Sequence, residues 1–244
     1  MRILALALSL LGFAGAALAA PASVELVPQP DLTKGMAAFP HLAPDAPFAA
    51  KINTALDKEQ KRALDNAADC KTSEGANGVE RFVDVTMQGP RFLSFLVTDN
   101  YWCGAHPDSA RTAFVYDLTT GELADWEKLL PPSMAGNVVI DDPDSGIGLL
   151  HSSVLKRLYV KSLLKGADPE CKDVIAETDY NFLLWPDATK RALVLDQNDF
   201  PHAVAACGGR LELSLSELQG LGVSKELIDA ITEGQPSNLP AKAK

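Results

Sequence analysis

Apolar positions recur along this chain with two different periods, and the change of period divides it into elements. Phe48, Ile52, Ala55, Leu56, Ala63, Leu64 and Ala67 fall on one face at helical spacing, opposite Lys51, Asp57, Lys58, Lys61 and Arg62. This predicts a helix over 46–68 with Asp45 as its N-cap. The period then shortens to two. Glu80–Gln88 alternates, Gly89-Pro90 breaks the run, and Arg91–Trp102 alternates again, which reads as a hairpin. Arg111–Leu118 continues as a third strand. Thr119–Glu122 is a turn, and Leu123–Leu130 a short helix stopped by Pro131-Pro132.

The second half repeats the alternation of types. Ile147, Leu150, Val154, Leu155, Leu158 and Leu163 predict an amphipathic helix reaching about Lys165, with Gly166 as its C-cap. The acidic loop Asp141–Ser145 before it suits a helix N-terminus. It is a poor calcium loop, because Ser152 or Ser153 stands where a bidentate Glu belongs. Asn181–Trp185 and Arg191–Leu195 flank a Pro186–Thr189 turn. Leu211–Leu215 alternates as another strand, and Ser224 caps a last helix ending at Thr232. Strands and helices come in runs, so the fold class is α+β, with mixed or antiparallel sheets and two main helices.

The N-terminus changes the setting. Arg2, an apolar run from Ile3 to about Ala16, and Ala17-Leu18-Ala19 form the three parts of a secretory signal peptide, cut after Ala19. The predicted organisation is a signal peptide over 1–19, an extended lead-in over 20–44 with a strand at Ser23–Val27, one α+β domain over 45–232, and a flexible tail over 233–244. An uncleaved anchor over 3–20 is the alternative. No later stretch approaches the ~18 apolar residues of a membrane span, so no stable anchor is expected after cleavage. The expected location is periplasmic or secreted.

Charge and cysteines refine this. The formal net charge is −10, and cleavage of Arg2 makes it more acidic. Nucleic acid and anionic membrane are therefore not expected partners, whereas a cationic protein is a compatible one. Four cysteines in an exported chain read as two disulfides. The local pairing Cys70–Cys103 and Cys171–Cys207 closes two loops of similar length, each worth roughly 3–4 kcal/mol in the chain-entropy model. Zinc needs closer pairs than these, so no metal site is expected.

Candidate chemistry concentrates in Tyr101–Ala110, YWCGAHPDSA. His106, Asp108 and Ser109 have the residue types of a hydrolase triad, but no G-x-S-x-G elbow accompanies them. A turn shaped by Gly104 and Pro107 explains the stretch without catalysis. His41, His106, His151 and His202 are scattered, with no pair at ligand spacing. No catalytic residue and no cofactor is expected; His106, Asp108 and Ser109 remain as the candidate ligand rim.

The order of these motifs resembles a domain of unknown function found in exported bacterial proteins. The residues that carry the resemblance are Cys103-Gly104-Ala105-His106, Phe114-Val115-Tyr116-Asp117-Leu118, Thr120-Gly121, Phe200-Pro201, Gly208-Gly209 and Ser216-Glu217-Leu218. It covers about residues 40–220. The same domain forms the lysozyme-binding extracellular half of RsiV-type anti-sigma factors, and a secreted mycobacterial immunogenic antigen is similar. Cys103 stands where many members have Gly, and His202–Ala206 replaces a Tyr-rich stretch. The resemblance implies an exported, non-enzymatic domain that binds a protein, cationic and lysozyme-like, or a peptidoglycan fragment in the cell envelope. A cell-envelope hydrolase or accessory enzyme, and a membrane-tethered envelope sensor, are the alternatives.

Overall fold

Helix α1 (Ala49–Asp69) buries Ile52, Leu56, Ala63 and Ala67 of the predicted stripe and adds Ala49, whereas Phe48 and Leu64, expected on it, are exposed. Its start differs from expectation, since Asp45 does not cap it. Ala46 and Ala49 donate their N–H groups to the carbonyls of Ala43 and Ala46, so turns occupy the backbone there. Phe48 then precedes the helix in the left-handed region, at φ 57 and without a side-chain cap. A computed structural model describes residues 23–70, 78–103, 106–142, 147–197 and 202–239. The expected signal peptide, the Gly104-Ala105 pair, Pro143–Gly146 and Phe200-Pro201 lie outside the described residues.

The lead-in is pinned to α1. Strands β1 (Leu26–Val27) and β2 (His41–Leu42) pair antiparallel, and Asn53 bonds both the N–H and the carbonyl of Leu42. The expected strand at Ser23–Val27 is thus present but short.

Antiparallel strands β3 (Val79–Gln88), β4 (Phe92–Tyr101), β5 (Asp108–Asp117) and β6 (Glu122–Leu123) follow as a meander. The third strand begins three residues before its expected start. Alternation sorts β4 and β5 into two faces. Leu93, Phe95, Val97, Phe114 and Tyr116 join the core under α1, where the Phe39 ring lies edge-on to Phe95 and Phe114 at 5.2 and 5.3 Å. Phe92, Leu96, Ala113 and Val115 belong to the second core. The helix expected over Leu123–Leu130 starts later, because Leu123 is held in β6 by Tyr116. Asp125 caps α2 (Trp126–Leu129), and Pro132 opens α3 (Pro132–Ala135), a position where its missing N–H costs nothing.

The clearest departure is Ile147–His151. Helical spacing there predicts the start of the second long helix, but these residues form strand β8 (Ile147–His151), paired with β7 (Asn137–Asp142). Five apolar or neutral residues satisfy either period, and the partner strand decides. Ser152 ends the ambiguity: its hydroxyl accepts from Leu155 N–H and caps α4 (Ser153–Leu163). Asp141 and Asp142 therefore end a strand and are not a helix N-terminus.

Short helix α5 (Lys172–Glu177) leads to β9 (Phe182–Asp187) and β10 (Ala192–Gln197). Pro186 lies within β9 opposite Leu193, so the hairpin turn falls after the expected Pro186–Thr189 window begins. Strand β11 (Arg210–Ser214) ends at Ser214, which forms a capping box with Glu217 and starts α6 (Leu215–Gly220), one residue before the expected strand end. Ser224 caps α7 (Lys225–Glu233) as predicted.

The second sheet has the order β11-β10-β9-β8-β7 and is antiparallel. Its β9 lies across β3, β4 and β5. Leu183, Trp185 and Val194 share one face of this sheet by register, with Phe182, Leu193 and Leu195 on the other. The result is four layers: α1, first sheet, second sheet, then α4 and α6. The class is α+β, and both disulfides form as expected. Cys70–Cys103 ties the end of α1 to the residue after Trp102, and Cys171–Cys207 ties the start of α5 to a 3-10 turn before β11. The segment expected to be a tail begins attached: Gln235 exchanges backbone bonds with Gln88 and Gly89, and Asn238 donates to the Gln88 side chain. No helix among the described residues is long and apolar enough to cross a membrane.

The α3–β7 junction tests this architecture. Gly136 has φ 58, and a Cβ there would run into the His151 carbonyl oxygen. Gly35 has φ 82 with nothing within 4 Å. Gly136→Ala should destabilise by about 3 kcal/mol or more, against about 1 kcal/mol for Gly35→Ala, in urea unfolding. Equal costs would show that the close approach at Gly136 is not a constraint.

Candidate functional site

The layers leave an opening at the end where β4 turns into β5. Register places Arg81 opposite Asp99, Val79 opposite Tyr101, Asp99 opposite Ala110, and Tyr101 opposite Asp108. These residues share the face below α1, because directly paired residues point the same way. The last turns of α1 contribute Glu59, Arg62, Ala63 and Asn66. Together they line a cleft of about 180 Å³, bordered on its inner side by Ile147, Leu149 and Leu183. The Cys70–Cys103 bridge closes the same end of the molecule.

The cleft is strongly charged for its depth. Arg81 is only 5% exposed, and its Nη1 bonds both Asp99 oxygens, at 3.0 and 3.3 Å. Its Cζ lies 5.4 Å from the centre of the Phe39 ring. Burial lowers the Arg81 pKa and raises that of Asp99, so desolvation outweighs their mutual attraction on both sides. Burial, and next the Asp99 charge, push the Tyr101 hydroxyl up. On α1, Arg62 pairs with the buried Glu59.

A second charged group sits across the β5 backbone. Arg111 Nη1 reaches Asp196 Oδ2 at 2.8 Å, and Arg210 Nε reaches the same oxygen at 3.1 Å. Asp196 is fully buried, and burial raises its pKa. Arg210 also lies over the Trp185 ring, 5.3 Å from its centre. This carboxylate links β5 of one sheet to β10 and β11 of the other.

Of the rim read from the sequence, Asp108 lies opposite Tyr101 at the edge of this cleft, and His106, Asp108 and Ser109 are exposed, as is Trp102, to 45%. Asp108 Oδ1 accepts from Ser109 N–H at 2.8 Å. Adjacent strand residues face opposite ways, so Asp108 points to the Tyr101 side and Ser109 to the other. The two do not converge as members of a triad. The remaining histidines lie apart: His41 contacts Asp57 at 3.0 Å, His151 lies 3.8 Å from Asp179, and His202 is in the 3-10 turn before β11. Among the described residues, no three His, Cys, Asp or Glu side chains gather as a metal site.

Reading the rim alone misses the cleft behind it. Its signal is present in the alternation: Arg81 falls in the Val79–Val83–Val85 register, and Asp99 follows Phe95 and Val97. Two opposite charges on inward positions of adjacent strands mark a buried ion pair.

No family model matches this chain, and neither does any curated protein. Among solved structures it is similar to a DUF3298 family protein from Pseudomonas aeruginosa PAO1, with 14% identity and a TM-score of 0.35 over 61% of this chain and 63% of that one. A member of the same family from Bacteroides fragilis NCTC 9343 has 15% identity and a TM-score of 0.37, covering 75% of this chain and 68% of its own. The chain thus spans 63% of the length of the first of these.

The buried pair makes two predictions. Arg81→Met strands the Asp99 carboxylate and should cost about 3–5 kcal/mol, most of which Arg81→Met/Asp99→Leu should restore, as read by urea midpoints. A double variant as unstable as the single one would refute this. Because the folded pKa of Asp99 lies above its unfolded one, its contribution is full below the ordinary carboxylate range, ~4, and is lost as pH rises through the folded value. Asp99→Asn should therefore flatten the decline of stability on going from pH 4 towards neutrality; an unchanged slope contradicts the assignment.

Proposed function

We propose that this protein is an exported, non-enzymatic domain that binds a protein or cell-wall ligand in the cell envelope, using the end of the molecule that carries Trp102, His106, Asp108 and Ser109. The observation that carries the reading is the placement of an exposed tryptophan and three exposed polar residues beside a charged cleft, on an end held by a disulfide. Exposed aromatics on a rigid support are typical anchors of binding sites.

The compartment agrees with this reading. Two disulfides suit the periplasm or the exterior, and the signal-peptide pattern read over 1–19 supports export. The acidic chain suits a cationic protein partner. That is the chemistry of lysozyme, which the resemblance to RsiV-type extracellular domains also suggests. The divergence of Asp108 from Ser109 supports binding over hydrolysis at the rim.

Two direct assays test the proposal: biosensor binding to immobilised lysozyme, and co-sedimentation with purified peptidoglycan. At least one should be positive. Trp102→Ala and Asp108→Ala should each weaken it by about tenfold while leaving the urea midpoint unchanged, because both side chains are exposed. Failure in both assays, or full binding by both variants, would overturn the proposal.

A further inference from the structure

The cleft under α1 holds polar groups that the fold does not engage. The Tyr101 hydroxyl, the Thr112 hydroxyl and the Asn66 amide line it from three different elements, and none makes a side-chain hydrogen bond among the described residues. Arg111 lies on the opposite face of β5 but also lines the cavity, with Nη1 on Asp196 and no other bond of its guanidinium among the described residues. A guanidinium carries five N–H donors, so most of its capacity remains. Asn66 is exposed and Tyr101 and Thr112 are half-buried, so all three are open to solvent and can bond a ligand that enters the cavity.

The charge of the lining selects that ligand. Three guanidiniums, Arg62, Arg81 and Arg111, face two carboxylates, Glu59 and Asp99. Glu59 is bound by Arg62, and Asp99 by Arg81. Asp196 behind Arg111 is matched by its second partner Arg210, so with Asp108 outside at the exposed edge the guanidiniums outnumber the inward carboxylates by one, in a chain of net charge −10. That excess favours an anion over a cation inside the cleft. The flat guanidinium fork of Arg111 matches the two oxygens of a carboxylate. A volume of about 180 Å³ equals several water molecules at about 30 Å³ each. It admits a group of amino-acid size and no folded partner.

We propose that this cleft is a carboxylate-binding subsite. It takes the carboxylate of a small acid or of a short peptide's C-terminal residue. Arg111 makes the principal contact, and Thr112, Tyr101 and Asn66 supply hydrogen bonds beside it. Val97, Phe114 and Leu149 provide the apolar wall for the aliphatic part. The inference rests on the reading that this end of the molecule binds ligands, and it adds the chemical class that the cleft accepts. A larger envelope ligand with a free carboxylate would then contact both rim and cleft.

Ligand-observed NMR and calorimetry on the intact chain test it, with acetate, alanyl-alanine and alanyl-alanine amide as probes. Alanyl-alanine should bind about tenfold more tightly than its amide, since the amide removes a charge-assisted contact. Binding of acetate as well as the dipeptide means that the isolated carboxylate suffices; binding of the dipeptide alone identifies a peptide end. Either outcome supports the subsite. Tyr101→Phe and Thr112→Val remove hydroxyls that make no hydrogen bond among the described residues, and Ala110→Trp obstructs the cleft from an exposed position. Each should weaken alanyl-alanine binding several-fold with an unchanged urea midpoint. Equal affinity for acid and amide, no binding of either carboxylate, or indifference to all three variants would overturn the proposal. If the small acids fail while lysozyme or peptidoglycan still binds, the subsite is wrong and the wider binding role stands. Failure of the macromolecules alone separates the two in the other direction.

Discussion

Strand β9 has no solvent face, and the architecture follows from covering it. Phe182, Leu183, Leu184 and Trp185 are successive and all at most 3% exposed. Alternation sends two of them to each side of the sheet. One side meets Phe92, Leu96, Ala113 and Val115 of the first sheet, and the other meets Leu155 and Tyr159 of α4. Each large apolar side chain contributes about 1.5–3 kcal/mol of transfer free energy when buried. A layer on one side alone would forfeit half of that. The first sheet in turn presents Leu93, Phe95 and Phe114 away from β9, so α1 and the lead-in must cover them. Four layers result from two sheets that are apolar on both sides.

This stack also explains where the charge lies. In the middle of the sandwich, apolar side chains meet apolar side chains. Towards the β4–β5 end, the same inward positions pass from Phe95 and Val97 to Asp99 and Tyr101, and from Val83 to Arg81. Buried ions there have lost hydration, and pairing recovers only part of it. Arg81–Asp99 lies between α1 and the first sheet, and Arg111–Asp196 lies between the sheets. The structure therefore places poorly compensated polar groups in both interlayer gaps at one end. Stability alone gives no reason for such placement, since apolar residues of similar volume would fit the stack better.

Much of the layering was legible in the residue pattern, because the strands are alternating or short apolar runs bounded by turn residues and α1 carries an apolar stripe. The β3–β4 hairpin, β5, β9–β10 and α7 fall near their expected places, and local loop closure correctly pairs Cys70 with Cys103 and Cys171 with Cys207. What the pattern concealed has physical causes. Ile147–His151 satisfies helix and strand spacing equally, and only pairing with β7 resolves it. Asp45 resembles an N-cap, yet turn hydrogen bonds ahead of α1 pre-empt it. The rim residues Asp108 and Ser109 are visible by their chemistry. The cleft behind them comes from a cross-strand register, Arg81 with Asp99, and from a helix arriving over it. Neither is a property of any local stretch.

The disulfide completes the argument for that end of the molecule. Cys103 follows the exposed Trp102, and its partner Cys70 closes α1, the helix that roofs the cleft. Strand-end turns are ordinarily the least restrained part of a sheet. Here the bridge holds the roof to the floor at the point where apolar packing gives way to charge. In the chain-entropy model a crosslink acts mainly on the unfolded ensemble, to a degree set by the length of the loop it closes. Its location has a separate local effect: it limits how far α1 can separate from β4. Groups that must meet a ligand in a fixed geometry lose less entropy on binding when their support is already rigid. Placing the bridge at the mouth of the cleft restrains the part of the fold whose own packing restrains it least.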